Sequence, residues 1–62
     1  MNNYVCEYIN NDGAIREMCV KACNKNQARS TVHTIVRNFG YPILLKNINV
    51  LYIDNNRKPV NV

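Results

Sequence analysis

The apolar residues of this 62-residue chain follow two different periods, and the change between them falls at residues 22–25. Before the change, residues 4–9 and Ile15–Ala22 are rich in β-branched and aromatic side chains, and an Asn-Asp-Gly sequence lies between them. Two such stretches joined by a glycine-containing turn are typical of a β-hairpin. The first third of the chain therefore predicts two antiparallel strands.

After the change, apolar side chains recur at helical spacing, at Ala28, Val32, Ile35, Val36 and Phe39. Such a stripe is typical of an amphipathic helix that packs against a sheet, and we predict one from about Lys25 to Phe39. Asn24 is a favourable N-cap, and Gln27 three residues later completes a capping box. Gly40 suits the left-handed residue that follows a helix, and Pro42 forbids continuation. Both ends of the helix are therefore predictable.

A third apolar stretch, Ile48–Ile53, predicts the last strand. A right-handed crossover over the helix brings this strand beside the first one. We therefore predict an α+β fold of ββαβ type, with a three-stranded antiparallel sheet in the order 2-1-3 and one helix packed on one face. We expect residues 1–54 to form a single domain and the polar, basic residues 55–62 to be a flexible C-terminal tail. The conformation of residues 43–45 stays open between a strand, a turn of helix and a buried linker.

Two hairpin registers are compatible with the turn sequence. A three-residue loop with Gly13 in the left-handed region pairs Asn10 with Ala14, whereas a two-residue turn would place two cysteines opposite each other. We favour the three-residue loop because it gathers one largely apolar face for the helix to cover. That face consists of Tyr4, Cys6, Tyr8, Met18, Val20 and Ala22. The same register sets Glu7 opposite Glu17, a like-charge pair that costs about a few tenths of a kcal/mol.

The cysteine pattern indicates free thiols in a reducing compartment. Cys6, Cys19 and Cys23 are odd in number and irregularly spaced, unlike the paired cysteines of small secreted proteins. A zinc site would need all three to converge with His33, and the spacing lacks the paired ligands of known zinc modules. The first residues do not form a cationic start followed by an apolar core, as a signal peptide does. We therefore expect no metal and a cytoplasmic location.

The eight basic and four acidic residues give a net charge of +4, but their distribution is more informative than the total. The stretch between Met18 and Ile53 contains no acid, so the predicted helix has basic residues without carboxylates of its own. Its exposed side forms a basic ridge, which can accept the phosphates of a nucleic acid or an acidic partner. The basic ridge consists of Lys25, Asn26, Arg29, His33 and Arg37. An ordinary solvated helix is the alternative interpretation of the same residues.

The back of the sheet is a second candidate surface. One helix covers only one face of a three-stranded sheet, and the opposite face would expose apolar side chains. These are Val5, Ile9, Ile15 and Cys19, together with either Ile48, Val50 and Tyr52 or Leu51 and Ile53. Because an exposed apolar patch of this kind marks an interface more often than not, we expect a homodimer or a protein partner here.

Enzymatic chemistry is not indicated by the sequence. The two glycines cannot form a phosphate-binding loop, and no serine or cysteine stands in a recognisable nucleophile motif with the single histidine. A 62-residue chain also buries only about 60% of its unfolded surface, which makes a deep cleft hard to build. We expect a non-enzymatic protein with no cofactor.

The spacing Val20-x-Ala22, Asn24-x-x-Gln27 and Val32, after a tyrosine-rich strand and a short glycine turn, resembles the small ββαβ proteins of phages and mobile elements of low-GC bacteria. Some proteins of that group inhibit host or defence proteins, and the twelve asparagines suit an AT-rich genome. The resemblance implies a small interaction protein that binds itself or a host macromolecule, which we place on the open sheet face. The alternative is a nucleic-acid-binding module that uses the basic ridge and the tail.

Overall fold

The structure, a computed structural model, describes residues 1–61 and has the ββαβ architecture. The elements are β1 (Asn2–Ile9), β2 (Ile15–Ala22), α1 (Lys25–Asn38), a 3-10 turn (Leu45–Asn47) and β3 (Ile48–Ile53). The sheet has the order β2-β1-β3, and β1 is antiparallel to both neighbours. The predicted α+β fold, strand order and position of the helix are therefore confirmed.

The hairpin between β1 and β2 has the three-residue loop. The Asn10 N–H donates to the Ala14 carbonyl oxygen at 2.8 Å. Gly13 has a φ of +82°, which residues other than glycine rarely adopt. Asp12 stabilises the turn further, because its Oδ1 accepts the Ala14 N–H at 2.9 Å. The register pairs Val5 with Cys19. The favoured register is therefore confirmed.

Helix α1 begins and ends at the predicted capping residues. The Asn24 Oδ1 accepts the Gln27 N–H at 2.8 Å, and the Gln27 Oε1 accepts the Cys23 N–H, one residue earlier than in a standard capping box. Phe39 is the C-cap, and Gly40 follows with a φ of +91°. The local sequence therefore specifies both ends of the helix.

The core lies between α1 and one face of the sheet. The helix places Ala28, Val32 and Val36 against the sheet, and each burial of a valine side chain stabilises the fold by about 1.5–3 kcal/mol. The fully buried core also includes residues from all three strands and the connection before β3. These are Tyr4, Cys6, Val20, Ala22, Ile43 and Ile48.

The connection after α1 resolves the open question about residues 43–45. Ile43 is buried in the core, Leu44 is extended and exposed, and Leu45 begins the 3-10 turn. The segment is therefore a linker anchored by one buried side chain. The helical periodicity predicts that Phe39, the last residue of the apolar stripe, packs in the core. Phe39 is instead 73% exposed and does not contribute to the core.

The back of the sheet is not open as the sequence pattern predicts. Residues 55–61 turn back after β3 and form hydrogen bonds with β1 and β2. Val5 is 0% exposed and Cys19 is 2% exposed, so the prediction that these two side chains face solvent is wrong. Ile9 and Ile15, at the turn end of the hairpin, are exposed as expected. No helix within residues 1–61 is long and apolar enough to cross a membrane.

Candidate interaction surfaces

The basic ridge lies along the solvent side of α1. Lys25, Asn26, Arg29 and Arg37 are exposed, and the first turn of the helix contains no acid. Among residues 1–61 the only ion pair joins Arg57 to Glu17, on the other face of the sheet. The cations of the ridge therefore have no carboxylate partner in the described chain, and they are free to meet an anionic partner.

His33 is a structural member of the ridge. Its ring is half-buried, and its Nε2 lies 3.1 Å from the Ile43 carbonyl oxygen. A carbonyl oxygen only accepts, so Nε2 holds the proton and donates it in this contact. His33 therefore ties the linker before β3 to the helix.

A shallow groove of about 220 Å³ lies beside the ridge near the end of α1. It is lined by His33, Thr34, Arg37 and Asn38. His33 and Arg37 belong to the predicted ridge. Thr34 and Asn38 do not, although each of them directly follows a ridge residue. The groove is smaller than the roughly 300–1,000 Å³ of ordinary small-molecule sites. Its lining contains one arginine, Arg37, so it can accommodate an anionic group such as a phosphate.

A second group of exposed side chains is apolar and belongs to the end of α1, the linker and β3. Seven large apolar side chains of residues 39–53 are between 42% and 73% exposed. They are Phe39, Tyr41, Leu44, Leu45, Leu51, Tyr52 and Ile53, and we call them the β3-side surface. Strand β3 is an edge of the sheet, and its sequence contains no charged residue. The sequence pattern offers Tyr52, or Leu51 and Ile53, only as alternatives on the back of the sheet, because an apolar run does not reveal which residues a small core leaves uncovered.

A β-bulge shapes the outer part of this surface. Val5 is opposite Tyr52 and Cys6 is opposite Val50, so Leu51 has no partner in β1. The bulge interrupts the alternation of β3, and Leu51 and Tyr52 are both about half exposed. Bulges of this kind re-aim side chains at sheet edges.

The predicted apolar interface on the back of the sheet is reduced to its turn end. Ile9 and Ile15 are paired directly and exposed, whereas Val5 and Cys19 are buried. The patch that remains is therefore smaller than the β3-side surface.

Between the two ends of the back face, two glutamates are opposed across β1 and β2. Asn49 Nδ2 donates to the Glu7 Oε1 at 3.3 Å, and Arg57 Nη1 donates to the Glu17 Oε1 at 3.2 Å. Each carboxylate therefore has its own partner, which offsets the repulsion between them.

The three thiols are free and lie at three depths. Cys6 is buried in the core, Cys19 is buried on the back of the sheet, and Cys23 is exposed. Burial raises the pKa of the Cys6 thiol to about 11 and raises the pKa of Cys19 as well. Residues 1–61 contain no group of three or more metal-ligating side chains.

Comparison with models of known protein families, with curated proteins and with solved structures found no match. The two surfaces described above are therefore the basis for assigning a function.

Proposed function

We propose that the chain is a small non-enzymatic interaction protein, similar in kind to those of phages and mobile elements, that binds a protein partner through the β3-side surface. The observation that supports this proposal is the concentration of exposed apolar side chains on an uncharged edge strand. Because Val5 and Cys19 are buried, we assign the binding surface to the β3 side of the sheet and not to its back.

The composition of this surface suits a protein interface. Phe39, Tyr41 and Tyr52 are aromatic side chains of the type that dominate binding energy at interface centres. Apolar surface removed from water contributes roughly 25 cal/mol per Å². A 62-residue chain with a limited core gains from any partner that covers such side chains.

The test uses the intact chain immobilised as bait, with single substitutions to lysine. Leu51→Lys adds a charge at the bulge of β3, within the β3-side surface, and Ile15→Lys adds the same charge to an exposed isoleucine at the hairpin turn. We expect the wild-type chain and Ile15→Lys to capture the same partner and Leu51→Lys to lose it, with all three chains folded by circular dichroism. Equal capture by both variants would contradict the proposal.

The basic ridge supports a second candidate function, which is binding to nucleic acid. The supporting observation is that Arg29 and Arg37 are exposed on a helix without acids, and that Arg37 also lines a shallow groove. When cations contact phosphates, the binding constant falls as the salt concentration rises. The slope of log binding constant against log salt concentration is close to about −1 for each contact.

This candidate is tested by fluorescence polarisation with single- and double-stranded DNA and RNA at several salt concentrations. Arg29→Ala and Arg37→Ala should each weaken binding and lower the salt slope by about one. Arg16→Ala is the matched control, since Arg16 is an exposed arginine on β2 that lies outside the ridge. An equal effect of all three substitutions, or no binding at low salt, would rule out the ridge as a nucleic-acid site.

A further inference from the structure

The residues after β3 form a strap over the back of the sheet. A turn at Asp54 reverses the chain, with the Asn56 N–H donating to the Asp54 Oδ1 at 3.1 Å and the Arg57 N–H donating to its carbonyl oxygen at 3.2 Å. Residues 55–61 then return across β1 to β2, and we call them the strap. The sequence analysis assigned them to a flexible tail because they are polar.

The strap pairs with the free edge of β2. In an antiparallel pair, alternate residues direct their N–H and C=O groups away from the partner strand, and in β2 these residues include Cys19 and Lys21. The Val60 N–H donates to the Cys19 carbonyl oxygen at 2.9 Å. The Asn61 Oδ1 accepts the Lys21 N–H at 2.7 Å, and the Asn61 Nδ2 donates to the Lys21 carbonyl oxygen at 2.9 Å. The carboxamide of Asn61 thus takes the place of a peptide group in a neighbouring strand.

The other end of the strap is held by β1 and by a charge pair. Asn3 Nδ2 donates to the Arg57 carbonyl oxygen at 2.9 Å, and the Asn3 N–H donates to the Asn55 Oδ1 at 2.8 Å. The hydrogen bond from Arg57 to Glu17 raises the pKa of the guanidinium, although both side chains are about half exposed. Exposed pairs of this kind contribute little to stability.

The contacts that hold the strap are mainly polar, although it also covers the Cys19 side chain. Val60 is 60% exposed, and the hydrogen bonds of Asn61 are exposed to solvent. Exposed hydrogen bonds have a small net value, because water replaces them when they break. Segments with few buried apolar contacts are the ones that open locally before the rest of a protein unfolds.

We propose that the strap opens as a unit while the sheet stays folded, and that the edge of β2 beneath it is a docking site for an extended chain segment. The strap defines the chemistry of the partner. The partner is an extended segment that carries a cation to pair with Glu17, then a backbone N–H for the Cys19 carbonyl oxygen, and then a carboxamide for the peptide groups of Lys21. In the closed chain, Arg57, Val60 and Asn61 supply these three groups. Opening exposes the side chains of Val5 and Cys19 and an unpaired strand edge, which is a template for an added strand. This inference does not depend on the β3-side surface.

The three thiols make the opening measurable in the intact chain. Cys23 is exposed, Cys19 lies beneath the strap with its thiol 3.9 Å from the Arg57 carbonyl oxygen, and Cys6 lies in the core. The chain is first kept under reducing conditions and then treated with iodoacetamide. Mass spectrometry gives the rate at which each cysteine is alkylated. We expect Cys23 to react first, Cys19 at an intermediate rate, and Cys6 only at the rate of global unfolding.

Asn61→Ala removes two of the contacts that close the strap, and Asn56→Ala removes an asparagine of the same segment whose side chain forms no hydrogen bond within residues 1–61. We expect Asn61→Ala to label Cys19 about tenfold faster, with Cys6 much less affected, and Asn56→Ala to behave like the wild type. If Cys19 and Cys6 react at one common rate, the strap opens only when the protein unfolds. If Cys19 reacts as fast as Cys23, the strap does not close. Either result would overturn the proposal.

Docking is tested on the Asn61→Ala chain with a synthetic peptide that has the sequence of residues 55–61. At high concentration the peptide should slow the labelling of Cys19 at least twofold and leave Cys23 unchanged. A peptide of the same composition in scrambled order is the control. If the two peptides have equal effects, the edge of β2 does not recognise an extended segment, and the docking part of the proposal is wrong.

Discussion

At the scale of single residues, asparagine has a structural role that its polar character conceals. The chain contains twelve asparagines, and the side chains of several of them form hydrogen bonds with backbone groups at the ends or edges of elements. Asn24 caps the helix, Asn55 accepts the N–H of Asn3 beyond the end of β3, and Asn61 pairs with Lys21. A carboxamide both donates and accepts, as a peptide group does, so it suits positions where an element ends. Composition alone predicts only that such residues favour turns and caps.

A buried thiol gives a prediction about alkaline pH. Burial raises the pKa of Cys6 from 9.0 to about 11, so the folded chain keeps this proton to higher pH than the unfolded chain does. The contribution to stability is therefore complete below about pH 9 and is lost as the pH rises towards about 11. In urea denaturation at a series of pH values, we expect the free energy of unfolding of Cys6→Ala to fall less steeply over this window than that of the wild type.

The control for this experiment is Cys23→Ala, which removes an exposed thiol. It should keep the slope of the wild type, because it leaves the buried thiol of Cys6 in place. Loss of packing lowers the stability of Cys6→Ala at every pH, so the slope is the informative quantity. Parallel curves for the wild type and Cys6→Ala would show that another group causes the alkaline loss.

At the scale of elements, the two sheet edges are protected in different ways. The edge of β2 is paired with the strap, whereas β3 has a bulge at Leu51 and no charged residue. Bulges and covering segments are both established means of preventing strands of separate molecules from pairing. The covered edge is held by reversible polar contacts, and the bulged edge presents apolar side chains. Each edge therefore suits a different kind of partner.

Helix α1 gives a prediction at this scale, because its N-cap has a matched control nearby. Asn24→Ala removes the oxygen that accepts the Gln27 N–H and should lower the free energy of unfolding by about 1 kcal/mol. Asn26→Ala changes an exposed asparagine in the first turn of the same helix and should be neutral or slightly stabilising, since alanine is the better helix former. Chemical denaturation of both variants measures the difference. Equal effects would mean that the cap does not stabilise the helix.

At the scale of the whole molecule, the hydrophobic surface is divided between one core and one exposed side. The helix is long enough to cover one face of three strands, and Phe39 lies beyond the part of the sheet that it covers. Val36, one turn earlier, is 2% exposed, whereas Phe39 is 73% exposed. The same apolar stripe therefore includes a residue that stabilises the fold and one that is available for binding.

Substitution of these two residues to serine should separate the two roles. Val36→Ser leaves a cavity and an unsatisfied hydroxyl in the core, and we expect it to cost about 2 kcal/mol or more. Phe39→Ser should change the free energy of unfolding by less than about 0.5 kcal/mol, because it removes little buried contact. Thermal unfolding measures both effects. A large loss in Phe39→Ser would show that this side chain packs in solution, which would weaken its assignment to the β3-side surface.

The sequence predicts most of the fold because the fold depends on local signals. The loop glycine, the cap at Asn24 and the apolar period of the helix each act over a few residues and define the elements, and the right-handed crossover then leaves one strand order. The candidate surfaces are less predictable because exposure is a property of the assembled chain. Residues of the basic ridge follow from helical spacing, whereas Cys19 is covered by Arg57, which lies 38 positions away in the chain. Polar composition does not reveal such contacts.

The central position of β1 has a consequence for the order of folding. Its contacts with β2 close a loop of three residues, so they can form as soon as the hairpin has been synthesised. Its contacts with β3 must wait for the helix and the linker, and the free edge of β2 is covered only when the strap follows. During synthesis the hairpin therefore passes through a stage with both of its outer edges unpaired. The strand at the centre of the sheet is therefore the first of the three to be made, yet it is fully paired only when β3 arrives, and the outer edge of β2 is covered last.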